Sequence, residues 1–504
     1  MPHARLSTII RASLLGATAC APAATPAALR APPPTAAVID SLARRLFALN
    51  AAPGVGLVVV RDTQVIYSKG FGYADVERQR AFGSETEFYI ASATKAFTGM
   101  AAAVLAERGA WSLDSALSRY LPRVQLKSPL NADSITIRSL LTHTHGIGNN
   151  GPLTLRLAYT GEYSGDDELI GFLRGHPAAS TGRAFAYGNI GYNVVGLAMD
   201  AVTGRSWRET LEDVLFIPLG MRSTTPYVSR VSPDRLAMPY RATPTGFVPM
   251  HYGKTDANMQ SAGGLLTTLS DMARWLEANI DGGRIDGRQV LPAAAVAQAH
   301  GLAATSSQRG KGLFPQIGYG LGWEISLLGD DTLLVHGGGF PGFATHMSFL
   351  PKQRLGVAVF ANEGDLGSGF VQILARAVYA VARGEPPIGS DSLPVLGQRL
   401  EGRRRAIGAD IARRAARSQV LPFPLDAYVG TYVNPVWGHL QLLLVDGKLQ
   451  ARMGAAASAV EVFDAPKNQL RVELFGVGEV VSVGMAGGRA DTLSLSGAAY
   501  QRVP

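Results

Sequence analysis

Residues 88–122 read FYIASATKAFTGMAAAVLAERGAWSLDSALSRYLP, and this stretch decides the fold. From Thr94 to Arg108 it is rich in Ala, contains no Pro and is closed by Gly109, a pattern that predicts a helix with Ser92 at its head. Ser92 and Lys95 are three residues apart, so on a helix they share a face, one turn from each other. A serine hydroxyl is a poor nucleophile near neutral pH and needs a base. A lysine in water holds its proton with a pKa near ~10.4, but burial and neighbouring positive charge disfavour the ammonium. A neutral amine one turn from Ser92 could take the hydroxyl proton. The helix N-terminus would add backbone N–H groups and a partial positive charge beside a developing oxyanion. The competing reading is an N-cap serine followed by a solvated lysine. Of the eight lysines, only Lys95 has a serine three residues before it, so the surrounding sequence has to decide.

Working outward, Gly54 to Val60 (GVGLVVV) and Gln64 to Ser68 predict two strands joined by a polar turn at Arg61-Asp62-Thr63. Residues 36–49 space their apolar positions by three and four, as an amphipathic helix does. Asp271 to Asn279 continues a helix for which Ser270 is the expected N-cap. Thr332 to Val335, Thr345 to Leu350 and Gly356 to Ala361 predict three neighbouring strands. A strand pair early and a strand trio late, with helices between, predict an α+β (mixed α/β) domain over residues 36–384. Its sheet uses both chain ends, and its active site lies between the sheet and a helical subdomain. Pro386-Pro387 then breaks the pattern. Residues 385–420 read as a linker whose Arg-rich helix, Arg399 to Arg417, is solvated. Residues 421–504 alternate short strands with turns such as Asp446-Gly447, the pattern of a small all-β domain.

Composition narrows the class. Hydrophobic residues at 47% and charged residues at 17% exclude an intrinsically disordered chain. The single cysteine, Cys20, excludes an intramolecular disulfide and a cysteine-built metal site. The net charge of +8 comes from 39 Arg and 8 Lys against 39 acidic residues. No basic motif is interleaved with aromatics, so no nucleic-acid partner is expected. His143 and His145, two apart and without a third ligand, make a poor zinc pattern and read as a structural turn; no cofactor or metal is expected. Neither Gly-x-Ser-x-Gly nor a Walker motif is present. Residues 1–20 combine His3, Arg5 and Arg11 with the apolar run Leu14 to Ala19 and the small triplet before Cys20, which resembles a bacterial export signal ending at a lipoprotein attachment site. Residues 21–35 read as an Ala/Pro-rich tether. The expectation is an exported protein, periplasmic or anchored to a membrane through a lipidated Cys20.

Six blocks in order settle the context: the quoted 88–122; ITIRSLLTHTHGIG (135–148); FAYGNIGYNVVG (185–196); SAGGLLTTLSDMARW (261–275); GYGLGWEI (318–325); and VHGGGFPGFATHMSFLP (335–351). Together they resemble the β-lactamase-related serine hydrolases, which include class C β-lactamases, penicillin-binding proteins, esterases and D-aminopeptidases. The resemblance runs from about residue 36 to 383, and the tail from about 421 resembles the small β-rich domain appended to some members. It implies a β-lactamase/transpeptidase-like fold with an antiparallel sheet and a helical subdomain. It implies that Ser92 is the acylated nucleophile, Lys95 its activating partner and Tyr187 the proton shuttle. By the same resemblance Asn189 bonds Lys95 and the substrate amide. His336 and Gly338 form the His-x-Gly element, Gly338 leaving room for substrate. The backbone N–H groups of Ser92 and Gly339 form the oxyanion hole.

The implied activity is a serine acyl-hydrolase acting on a small-molecule or peptide ester or amide, D-amino-acid peptides included. His336 stands where many β-lactamases and transpeptidase-like members carry lysine. A neutral imidazole gives a hydrogen bond but little charge to a substrate carboxylate, so slow β-lactam turnover is expected. A β-lactamase is the second reading. A non-catalytic penicillin-recognising or scaffold protein is the third, and it has no physical need for Ser92, Lys95, Tyr187 and Asn189 together.

Overall fold

The structure, a computed structural model, describes residues 36–149, 151–250, 253–306, 312–385 and 392–504. The leader, Cys20, the tether and Pro386-Pro387 lie outside the described residues. The described residues form one compact unit. The elements that matter for the site are, in chain order, α1 (Ala36–Phe47), β1 (Gly54–Arg61), β2 (Gln64–Asp75), α2 (Thr94–Glu107), α3 (Ile137–Leu141), α4 (Ile190–Thr203), α5 (Gln260–Gly263), α6 (Leu269–Ile280), β3 (Gln316–Tyr319), β4 (Glu324–Leu328), β5 (Asp331–Phe340), β6 (Phe343–Leu350), β7 (Leu355–Ala361), α7 (Asp365–Ala382) and α8 (Ser392–Ala415).

Strands β3 to β7 run in sequence and β1 joins the far side of β7, followed by β2; two-residue strands edge this antiparallel sheet. The register places Val55 opposite Ala361 and Arg61 opposite Leu355. The expected union of both chain ends in one sheet is therefore what forms, as a β-lactamase/transpeptidase-like fold requires. β1 is apolar at successive positions because both faces are covered. Val58 and Val60 pack on the α6 side; Val55, Leu57 and Val59 pack on the α1 and α7 side. β5 extends well past the expected Thr332–Val335, so that His336 to Gly339 are strand residues.

Two local expectations need correction. The N-cap of α6 is Thr268, whose side chain accepts from the Asp271 N–H at 3.2 Å. The helix starts one residue before Ser270, which points instead at Glu85. The Arg-rich helix α8 is not simply solvated. Leu396 and Leu400 are buried. Arg404 donates to the carbonyls of Thr243, Gly246 and Asn50 at 2.6, 3.0 and 2.8 Å, Arg403 pairs with Asp365 and Arg414 with Glu461. These three arginines serve as hydrogen-bond donors to neighbouring segments, a use that charge patterning alone does not distinguish from a wet face. From Gly430 to Val503 the chain forms a second antiparallel sheet of nine strands, in which the first strand, Gly430–Asn434, pairs with the last, Ala498–Val503. This is the C-terminal all-β region.

Candidate active site

Ser92 occupies a single 3₁₀ turn, Ala91–Ala93, immediately before α2. Ala91 has φ +46°, a conformation that a residue with a Cβ rarely adopts. The chain thus makes a sharp corner just before the hydroxyl, and strain of this kind concentrates at functional sites. Hydrogen bonding of the Ile90 N–H to the Leu265 carbonyl at 3.1 Å fixes the approach.

Lys95 is completely buried. Its Nζ lies 3.1 Å from Ser92 Oγ, 2.8 Å from Asn189 Oδ1 and 2.8 Å from the Ala262 carbonyl on α5. The two oxygens at 2.8 Å can only accept. A neutral amine has two N–H groups for them, which leaves its lone pair for the Ser92 O–H. Burial brings the Lys95 pKa down to about 7, opposed by the Glu324 carboxylate. The solvated-lysine reading is thereby excluded. Tight packing holds the helix in place: a Cβ on Gly99 would meet the Leu321 carbonyl at 2.2 Å, and one on Gly322 the Lys95 carbonyl at 2.2 Å.

The Tyr187 ring is 44% exposed at the mouth of the site. Lys95 Nζ lies 5.0 Å from the ring centroid. Burial at the hydroxyl end raises its pKa. At neutral pH Tyr187 is a phenol and Lys95 the stronger candidate base. Asn189 stands at the N-cap of α4 but does not cap it with its own side chain. Asn149 Oδ1 accepts from the Asn189 and Ile190 N–H groups at 2.7 and 3.3 Å, freeing Asn189 Oδ1 for Lys95. A Cβ on Gly188 would fall 2.7 Å from Asn149 Cγ, so the Ser common at that position has no room here.

His336 departs from its expected role. It is 1% exposed, with Nδ1 at 2.7 Å from the Gly337 carbonyl and Nε2 at 3.0 Å from the Tyr319 hydroxyl. A carbonyl only accepts, so Nδ1 carries the proton and Nε2 accepts from Tyr319. Burial and then Lys95 bring the His336 pKa to about 3. The imidazole is a neutral internal strut, with neither nitrogen free for a substrate carboxylate. Gly338 also differs from expectation. A Cβ there would lie 2.0 Å from the Ile90 carbonyl, so the missing side chain admits the chain's own backbone and lets β5 lie beside the Ser92 corner. The space beside Gly339 is open.

The sequence reading missed several residues. The His143 ring packs 4.7 Å from the rings of Tyr187 and Tyr319, and its Nδ1 accepts from the Gly188 N–H at 3.4 Å. Burial, then Lys95, hold its pKa well below the usual histidine value. Its spacing from His145 had suggested only a turn. His145 does close one, accepting from the Ile147 N–H at 2.9 Å. Tyr319 and Glu324 lay within a quoted block without being singled out; Asn149 carried no signal at all. Among the described residues, no group of three or more His, Cys, Asp or Glu is placed to hold a metal ion.

Comparison with known proteins follows the same line. The family model described as Beta-lactamase matches residues 39–380. Over 328 residues the chain is 27% identical to Protein flp of Staphylococcus aureus (strain MW2), a match covering 64% of this chain and 62% of that protein's length. Over 363 residues it is 28% identical to a D-aminopeptidase of Cereibacter sphaeroides, covering 70% of this chain and 66% of that one. The fold is shared with an octameric penicillin-binding protein homologue from Pyrococcus abyssi: TM-score 0.59, 22% identity, 92% of this chain and 99% of that one.

Proposed function

Since the chain belongs to the beta-lactamase family, we propose that it is a serine acyl-hydrolase that cleaves an ester or amide bond through an acyl-enzyme on Ser92. The observation that carries this reading is Lys95, fully buried, with two fixed acceptors and its remaining direction on Ser92 Oγ at 3.1 Å. Neutral Lys95 takes the Ser92 proton as Oγ bonds to the acyl carbon. The backbone N–H groups of Ser92 and Gly339 hold the developing oxyanion. As the tetrahedral adduct collapses, a proton passes by way of the Tyr187 hydroxyl to the leaving oxygen or nitrogen, and the leaving group departs. Water then releases the acyl group by the reverse proton path, restoring Ser92 and Lys95.

The substrate class we propose is short esters or D-residue peptides, with β-lactam hydrolysis slow. His336, neutral and internally bonded, supplies no cation for a carboxylate, and the D-aminopeptidase relative supports the peptide branch. The test is a panel of p-nitrophenyl esters, D-alanyl anilides and nitrocefin with mass spectrometry of the intact protein. An acyl adduct is expected on wild type and absent from Ser92→Ala. Lys95→Ala should lower acylation by about 10²–10⁴-fold. Near-normal turnover by Ser92→Ala overturns the proposal, and nitrocefin cleared faster than the esters overturns the substrate class.

We also propose that residues 1–20 direct export and that Cys20 is lipidated. Fractionation and labelled-palmitate incorporation are expected to place the chain with the cell envelope, with label lost in Cys20→Ser; an unprocessed cytoplasmic chain would refute this.

A further inference from the structure

Behind the catalytic strand lies a cavity of about 310 Å³. Paired residues share a face of a sheet. Glu324 pairs with Val335, and Gly337, two residues on, pairs with His346. These side chains therefore lie on the α7 side, while His336 and Gly338 meet Tyr319 and Ile90 on the Ser92 side. Glu324, Gln316, His346, Phe314, Gly337 and Gln372 line the cavity. Gly337 is not forced by packing: a Cβ there would approach nothing nearer than the Thr345 carbonyl at 3.6 Å. The missing side chain opens the cavity against the strand.

The lining is chemically one-sided. Its described residues offer a carboxylate, two amides, an imidazole and a phenyl ring, with no lysine or arginine among them. His346 Nε2 is bonded to Ser348 Oγ at 2.7 Å, which is 2.9 Å from the Tyr379 hydroxyl. Burial holds this imidazole neutral, its pKa brought down to about 3. Burial raises the Glu324 pKa to about 7, and its electrostatic partner is Lys95 on the far side of the sheet. Among the described lining residues a carboxylate, two amides and an aromatic ring meet with no lysine or arginine, the chemistry that an organic ammonium ion requires.

We propose that this cavity binds a small organic ammonium ion and that its occupancy favours the neutral form of Lys95. The charge on Glu324 stabilises the Lys95 ammonium; a cation beside Glu324 cancels that field. The other titratable groups around Lys95 do not compete near neutral pH. His143 and His336 are held neutral by burial, and Tyr187 and Tyr192 are held protonated by it. The regulatory half rests on Lys95 acting as the base for Ser92; the binding half does not.

The probe is benzylammonium chloride, with benzyl alcohol as its neutral counterpart at matched ionic strength. Calorimetry on the full chain is expected to show saturable binding of the cation only, weakened at least about tenfold in Glu324→Gln, the cost of one charge-assisted contact. Gly337→Ala, which fits the strand, and Gln372→Trp, at the exposed edge, should weaken it by filling space. If Glu324→Gln does not fold, these two variants decide. In rapid acylation by p-nitrophenyl acetate, saturating benzylammonium is expected to move the acid limb of the pH profile to lower pH. Glu324→Gln should show the lowered limb without ligand and no response to it. Binding that is absent, equal for benzyl alcohol or unchanged in the variants overturns the site. Binding without movement of the limb overturns the regulation, and a missing Ser92 adduct overturns the proposed function, independently of the calorimetry.

Discussion

On the proposed function, burial is what fits Lys95 of a common tetrapeptide to act as a base. An exposed lysine would be more than 99.9% protonated at pH 7, given a reference pKa of about 10.4. Brought down to about 7 by burial, it is neutral about half the time. The sign follows directly: below pH 7 the amine carries a proton and cannot accept that of Ser92. The acylation rate is expected to fall about tenfold per pH unit on the acid side of a midpoint near 7. A stopped-flow pH profile checks this, and a midpoint near 4–5 would assign the base to a carboxylate instead. The identity and spacing of Ser92 and Lys95 were legible in the sequence. The burial that separates this pair from an N-cap and a solvated lysine was not, because it is supplied by Asn189 and Ala262, 94 and 167 positions away. His336 was found but misassigned, since its partner Tyr319 comes from another strand.

Among elements, β5 has the tightest tolerance. The strand was legible as a short apolar run, but local sequence gives no reason for it to continue through three successive glycines. What makes it strand is pairing with β6, Gly337 opposite His346 and Gly338 opposite Thr345, and neither partner is visible from local propensity. Gly338→Ala would drive a methyl group into the Ile90 carbonyl, 2.0 Å away. Backbone cannot yield as a flexible side chain can, so the strand must withdraw from the Ser92 corner. The expected outcome is a loss of about 1–3 kcal/mol of stability together with a disproportionate loss of acylation, read from urea unfolding and the adduct assay. Unchanged acylation would show that β5 can shift without disturbing Ser92.

At the scale of the molecule, the union of early and late strands was legible because a strand pair near the start and a strand trio near residue 350, with helices between, had to share one sheet. The docking of α8 was not, since its arginines look alike until their acceptors are known. Arg404 bonds three carbonyls from two distant segments. Arg404→Ala would strand those acceptors and is expected to cost about 1–3 kcal/mol, measured as a lower urea midpoint with unchanged acylation kinetics; an unchanged midpoint would return α8 to the role of a solvated linker. The pairing of β1 with β7 also sets a clock. Gly54 donates to the side chain of Asn362, 308 positions later, and the strand that flanks Ser92 is itself synthesised only after residue 331. During translation, at about 5–20 residues per second, a ribosome-bound chain holding Ser92 and Lys95 therefore spends many seconds without the β5 backbone that completes their site. On the proposed function, a nascent chain therefore acylates no substrate until its last sheet strands have closed around Ser92.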